Sequence, residues 1–89
     1  MVEIIISAHA RMQMAERGIP EEMVLDIIES PQQVIPEEED KMIYQSLRFF
    51  LEDERDYLVR VFVNVVKIPN LVITVYRTSK IDKYWQYED

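Results

Sequence analysis

Tyr57–Val66 is a stretch of ten mostly β-branched and aromatic residues, which only Arg60 and Asn64 interrupt with polar side chains. At a period of two, the odd-numbered positions form a wholly apolar face and the even-numbered positions form a mixed one. This pattern is typical of a central strand in an antiparallel sheet, where one face is covered and the other is partly polar. We therefore expect Arg60 to lie on a partly open face of a sheet.

Two helices are predicted in the first third of the chain. Ser7 stands at an N-cap position, residues 8–17 are fair to good helix formers, and Gly18, the only glycine, follows as the residue that ends the helix. Pro20 is suited to the start of a second helix, which ends before Pro31. The two helices are expected to form a hairpin with a wide apolar side.

Strands are predicted after the helices. Three long ones span residues 42–51, 57–66 and 71–78, and their connections have hairpin lengths. Residues 4–6 are predicted to form a short edge strand and residues 32–35 a short extended segment. The acidic run at residues 37–40 is expected to be a solvated turn.

This order of elements predicts an α+β fold, with the N-terminal helix hairpin packed on one face of a C-terminal antiparallel meander. Residues 1–89 are expected to form a single domain. The hairpin should cover the wholly apolar face of the central strand. Tyr76 and Arg77 are adjacent in the last strand and so point to opposite faces, and either one accompanies Arg60.

Charge is distributed unevenly along the chain. The net charge is −7, with −8 in residues 1–40 and +1 in residues 41–89. Because phosphate binding needs clustered Lys and Arg, a nucleic-acid site is expected only in the second half. The chain has no cysteine, no phosphate-binding glycine loop and no zinc-ligand spacing, so neither a metal nor another cofactor is predicted. The opening residues match neither a signal peptide nor a membrane span, which predicts a cytoplasmic protein without membrane contact.

Several side chains are candidates for chemistry, and each has a structural alternative. His9 is the only histidine and the most natural general base near neutral pH; the favoured alternative is that it caps the first helical turn or packs beside the sheet. Arg17 either supports a site or complements the negative end of the first helix. Two alternatives stay open for Arg48 and Arg60: they converge on one face and bind phosphate or carboxylate, or they pair with acids on a solvated face.

A second group of candidates lies near the C-terminus, where Tyr76, Lys80, Lys83 and Tyr84 gather beside Trp85. A metal-independent ribonuclease can use such side chains to stabilise the phosphorane and position the 2′-hydroxyl, while aromatic rings stack the bases. The alternative for Trp85 is that it covers an open edge of the core.

Four segments of the chain resemble the domain-of-unknown-function family 4258. They are Ser7-Ala-His-Ala-Arg-Met, Arg17-Gly-Ile-Pro-Glu-Glu, Thr74-Val-Tyr-Arg-Thr-Ser-Lys and Lys83-Tyr-Trp. The resemblance covers nearly the whole chain. In outline the family is similar to the small RelE-like ribonuclease toxins, which implies a RelE-like fold, RNA as substrate and a cognate antitoxin as partner. Those toxins are typically basic, whereas this chain is acidic.

Two functional hypotheses follow. The first is a metal-independent ribonuclease or RNA binder of the RelE-like kind. Its catalytic residues would be His9, Arg60, Tyr76, Arg77 and Lys83, with Arg17, Arg48, Lys80 and Tyr84 binding the substrate. The second is a non-catalytic protein-binding or homo-oligomeric assembly module, which the net charge and the lack of a paired nucleophile and base favour.

Overall fold

The computed structural model of the protein describes residues 3–87. Its elements in chain order are β1 (Ile4–Ile6), α1 (Ala8–Arg17), α2 (Glu21–Glu29), β2 (Gln33–Glu38), β3 (Lys41–Phe50), β4 (Arg55–Asn64), β5 (Asn70–Thr78) and α3 (Ile81–Tyr84). In this part of the chain, every helix is too short or too polar to span a lipid bilayer.

Helix α1 has the predicted bounds because both of its ends are capped by local interactions. The Ser7 hydroxyl accepts a hydrogen bond from the Ala10 N–H over 3.1 Å. Gly18 is left-handed, with φ of 65°, and its N–H donates to the Met14 carbonyl. A side chain is strained in that conformation, which accounts for glycine at this position. Helix α2 begins directly after Pro20, also as predicted.

The five strands form one sheet in the order β1-β5-β4-β3-β2. Strands β2 to β5 are a meander of antiparallel neighbours, as expected, but β1 pairs with β5 in parallel. The prediction of a purely antiparallel sheet is therefore wrong, and the sheet is mixed. Alternation along a strand reports which face is covered, and it carries no information about the direction of the neighbouring strand. The expected acidic turn is also shorter, since β2 extends to Glu38.

The helix pair covers one face of the sheet, which we call the helix face. Helix α1 packs on β5, and α2 packs on β3 and β4. The resulting apolar core contains the alternating positions of β4, Val59, Val61 and Val63, together with Val24 and Ile27 of α2. The prediction that the apolar face of the central strand is covered by the helices is confirmed.

The opposite face, which we call the tail face, is crossed by residues 81–87, the C-terminal tail. Ile43 and Leu58 are buried on this side and do not belong to the core beneath the helices. Gln45, between them in the sheet, donates a hydrogen bond to the carbonyl of Tyr84 in the tail over 3.2 Å. The tail therefore gives the sheet a second covered area, and this area contains polar side chains.

Candidate functional site

Four polar side chains lie in a line across the tail face, and we call them the polar row. Gln33 of β2 is paired with Gln45 of β3, Gln45 with Arg60 of β4, and Arg60 with Tyr76 of β5. Directly paired residues of antiparallel strands point to the same face of a sheet. The register of the three strand pairs thus brings together residues that are far apart in the sequence.

Hydrogen bonds connect the polar row from end to end. Gln45 Nε2 donates to Gln33 Oε1 over 2.8 Å, and Arg60 Nε donates to Gln45 Oε1 over 2.9 Å. Arg60 Nη1 donates to the Tyr76 hydroxyl over 2.7 Å. Because buried hydrogen bonds are stronger than exposed ones, this network holds each side chain in one orientation.

Arg60 is only 7% exposed, yet no carboxylate of residues 3–87 lies within ion-pair distance of it. Aromatic rings surround the guanidinium instead, with its central carbon 4.4 Å from the centroid of Tyr84, 5.4 Å from Phe62 and 5.8 Å from Tyr76. Ring faces attract a cation but do not neutralise it. Nη2 has no hydrogen-bond partner in the described part of the chain, so the site keeps a positive charge and free donors.

The C-terminal tail contributes to the same site. Gln33 and Gln86 exchange two hydrogen bonds, from Gln86 N to Gln33 Oε1 over 3.0 Å and from Gln33 Nε2 to Gln86 O over 2.6 Å. These bonds place Tyr84 over Arg60. Lys83 directly precedes Tyr84 in the chain, and its Nζ lies 5.3 Å from the centroid of the Tyr84 ring. Of the predicted site residues, the structure therefore brings together Arg60, Tyr76, Lys83 and Tyr84.

Tyr76, and not Arg77, accompanies Arg60. Arg77 pairs with Val59 and so points to the helix face, where its guanidinium carbon lies 4.2 Å from the centroid of Phe50 and 4.4 Å from that of Tyr57. Its Nη1 is 3.2 Å from Asp53 Oδ2 but is not aligned for a hydrogen bond, so the contact is an ion pair only. Arg77 thus links the β3–β4 connection to the helix face of the sheet, opposite the polar row.

Of the two alternatives for Arg48, the structure excludes convergence with Arg60 on one face and shows pairing with an acid. Arg48 pairs with Tyr57 on the helix face, and its guanidinium forms an ion pair with Asp26 of α2. The register of β3 against β4 brings Gln45 beside Arg60. Arg48 is three residues after Gln45 in the same strand. Because side chains an odd number of residues apart point to opposite faces, Arg48 points away from Arg60. Arg48 therefore joins the helix pair to the sheet.

The remaining predicted residues lie apart from the polar row. His9 and Arg17 are exposed on α1, which packs on the helix face, so the sheet separates them from Arg60. Lys80 is exposed at the start of α3, and its N–H donates to the Thr78 hydroxyl over 3.0 Å. Trp85 is half-buried next to α3.

Three further residues belong to the site and are not predicted from the sequence: Gln45, Gln33 and Phe62. Gln45 lies in β3 next to Ser46 and close to Arg48, so composition does not single it out, and only the pairing of β3 with β4 shows that it shares a face with Arg60. Gln33 lies in a short strand of mixed composition, where no local pattern distinguishes it. In the sequence Phe62 looks like any other apolar strand residue. Only its position beside Arg60 in the folded protein makes it part of the site.

Within residues 3–87, the pKa values of Tyr87 and Lys41 are shifted, and both residues lie outside the polar row. The pKa of Tyr87 is raised because its hydroxyl donates to the carboxylate of Asp82. The pKa of Lys41 is raised mainly by its hydrogen bond to Glu38, with a smaller contribution from the charge of Asp40. Across residues 3–87, no group of three or more His, Asp or Glu side chains is placed to hold a metal ion.

The fold and the site define a small α+β domain that has a helix pair on one face of a mixed sheet and a buried, aromatic-lined arginine on the other. The family model described as "Domain of unknown function (DUF4258)" matches residues 6–77, and the chain belongs to this family. The matched range contains the whole polar row and ends before the C-terminal tail. No curated protein and no solved structure matches the chain.

Proposed function

We propose that this domain binds single-stranded RNA on the tail face, with Arg60 binding a phosphate group. The observation that carries the proposal is a buried arginine that has no carboxylate partner within residues 3–87. A guanidinium binds phosphate through its fork of N–H donors, and Nη2 of Arg60 is the part of that fork without a protein partner. The Tyr76 hydroxyl, which accepts from Nη1, keeps its own proton as a further donor.

The surroundings of Arg60 also suit a nucleic acid. Tyr84 and Phe62 offer rings on which bases can stack, a mode of binding that tolerates any sequence. Lys83 of α3 adds positive charge beside Tyr84, and Lys80 lies just before the same helix. Because the chain as a whole carries −7, we expect weak binding that decreases steeply with salt.

The arrangement supports binding better than cleavage. His9, the expected general base, lies on the other side of the sheet. Within residues 3–87, no imidazole or carboxylate is hydrogen-bonded to Arg60 or Tyr76. A RelE-like ribonuclease activity would have to rely on Tyr76 and Lys83 for proton transfer.

The proposal is tested by fluorescence anisotropy with a labelled single-stranded RNA, titrated at several salt concentrations. Arg60→Gln should weaken binding about tenfold or more, the usual cost of a lost charged hydrogen bond. It should also reduce the slope of log K against log salt by about 0.7, the value for one phosphate contact on a single strand. Arg48→Gln is the matched control, since it removes an arginine from the neighbouring strand on the opposite face.

No binding by the wild type at low salt, or equal loss in both variants, would refute the proposal. The two variants are compared at a temperature where circular dichroism shows both to be folded. The same RNA, separated on a denaturing gel after incubation, shows whether the wild type also cleaves it. Cleavage that Arg60→Gln abolishes would extend the proposed function to a ribonuclease.

A further inference from the structure

A groove of about 580 Å³ lies on the helix face, beside α2. Its floor crosses four neighbouring strands, with Ile4 from β1, Asn70 from β5, Val63 from β4 and Tyr44 from β3. Three strand spacings of about 4.8 Å make this floor roughly 14 Å long. At about 1.5 Å per residue, that length corresponds to about ten residues of α-helix.

The wall of the groove is the side of α2 that carries Leu25 and Ile28, of which Ile28 also packs against the edge of the core. Leu25, at 39% exposure, and the half-buried Ile28 line the groove, whereas Val24 and Ile27 on the other side of the same helix are fully buried. Leu25 thus leaves apolar surface of α2 exposed on the groove side, outside the stripe that faces the core. The groove is thus suited to an element that presents aliphatic side chains.

The rim of the groove is acidic. Glu29 lines it, and Glu22 lies two turns earlier on the same side of α2. Neither of these two carboxylates forms an ion pair with a residue in the described range 3–87. This side of α2 therefore carries uncompensated negative charge next to the groove.

We propose that this groove binds an amphipathic basic helix of about three turns from a partner protein. The partner helix would place aliphatic residues against Leu25, Ile28 and Val63 and flank them with Lys or Arg facing Glu29. A helix is favoured over an added strand because the floor consists of side chains on the face of the sheet, and strand addition needs a free edge. The site is independent of the proposed RNA site, since the sheet separates the two.

The test uses two synthetic helical peptides of fourteen residues with the same leucine stripe, one with lysine on the flanks and the other with glutamate. Each is titrated into the ¹⁵N-labelled domain and followed by amide chemical shifts. The lysine peptide should give saturable shifts at Leu25, Ile28 and Val63 and leave Arg60 unchanged. The glutamate peptide should bind at least about fivefold more weakly, since each exposed charge pair contributes modestly.

Three variants make the assignment specific. Leu25→Ser and Glu29→Lys should each weaken binding of the lysine peptide by about fivefold or more, because they remove an apolar contact and reverse a rim charge. Phe49→Ser is the control, as it replaces a comparably exposed apolar residue on the tail face. Thermal melts verify that all three variants are folded.

The proposal fails if the lysine peptide shows no saturable binding at millimolar concentration, or if both peptides bind equally. It also fails if sedimentation shows that the domain self-associates and that Leu25→Ser abolishes this, because the occupant would then be a second copy of the chain.

Discussion

The Arg60 side chain donates from Nε to Oε1 of Gln45 over 2.9 Å, and both side chains are buried in the middle of the sheet. The two residues are opposite each other on neighbouring strands, so their contact depends on the β3–β4 register. The Gln45 amide is fully used, because its Nε2 donates to Gln33 and to the carbonyl of Tyr84. Removing Arg60 therefore leaves a buried carbonyl oxygen without a donor.

Arg60→Ala should lower the free energy of unfolding by about 1–3 kcal/mol, the cost of an unsatisfied buried polar group. Alternation alone predicts that this substitution is harmless, because it places Arg60 on a partly open face. Arg60 does lie on the predicted face of the sheet, but the C-terminal tail covers this face and buries the Arg60 side chain. Urea denaturation measures the effect. Arg48→Ala, which breaks a half-exposed ion pair, should cost about 1 kcal/mol or less, and equal costs for the two variants would contradict the prediction.

Val61→Asp should unfold the domain. Val61 is fully buried beneath the helices, and an unpaired carboxylate among aliphatic side chains costs several kcal/mol, out of about 5–15 kcal/mol that a native domain has. Val66→Asp is the matched control, since Val66 is 66% exposed just beyond β4 and its substitution should leave the melting curve nearly unchanged. If Val61→Asp melts like the wild type, the alternation of β4 has been assigned to the wrong faces.

The features that the sequence predicts well are those with local causes. Helix α1 has its predicted bounds because Ser7 and Gly18 cap it within one turn of each end. The covered face of β4 follows from alternation, which needs only neighbouring residues in the chain. The strands β3 and β4 were placed within about two residues for the same reason.

The features that the sequence does not predict depend on pairing between distant segments. The parallel contact of Ile5 with Leu71 joins residues from opposite ends of the chain. The polar row requires three strand registers, and a shift of one residue in any of them would send its member to the other face. The burial of Arg60 further requires the course of the tail, which no periodicity encodes.

Gln13→Ala should accelerate hydrogen exchange at the Val75 amide and cost about 0.5–1.5 kcal/mol. The short strand β1 pairs only with residues 70–72 of β5, so within residues 3–87 Val75 has no partner strand on that side. The Val75 N–H instead donates a hydrogen bond of 3.0 Å to the side-chain oxygen of Gln13 in α1. Gln13→Glu keeps an acceptor and should preserve slow exchange, whereas Glu16→Ala, on the exposed side of α1, should change nothing. Exchange is followed by NMR in deuterated buffer. Unchanged protection at Val75 in the alanine variant would mean that this bond does not stabilise the edge of β5.

Tyr87 should ionise above its ordinary pKa of 10.0, because its hydroxyl donates to Asp82 and the carboxylate disfavours a neighbouring phenolate. A pKa raised by folding means that this contact stabilises the tail fully below the unfolded pKa and is lost as the pH rises through the folded one. Asp82→Asn removes the charge and should lower the pKa of Tyr87 towards its ordinary value, while Asp56→Asn, at the far hairpin, should not. The pKa is measured from the ¹³Cζ shift of Tyr87. If Asp82→Asn leaves that titration unchanged, the contact with Asp82 does not hold the end of the tail, and the position of Tyr84 over Arg60 must then depend on the hydrogen bonds that Gln33 and Gln45 form with the tail.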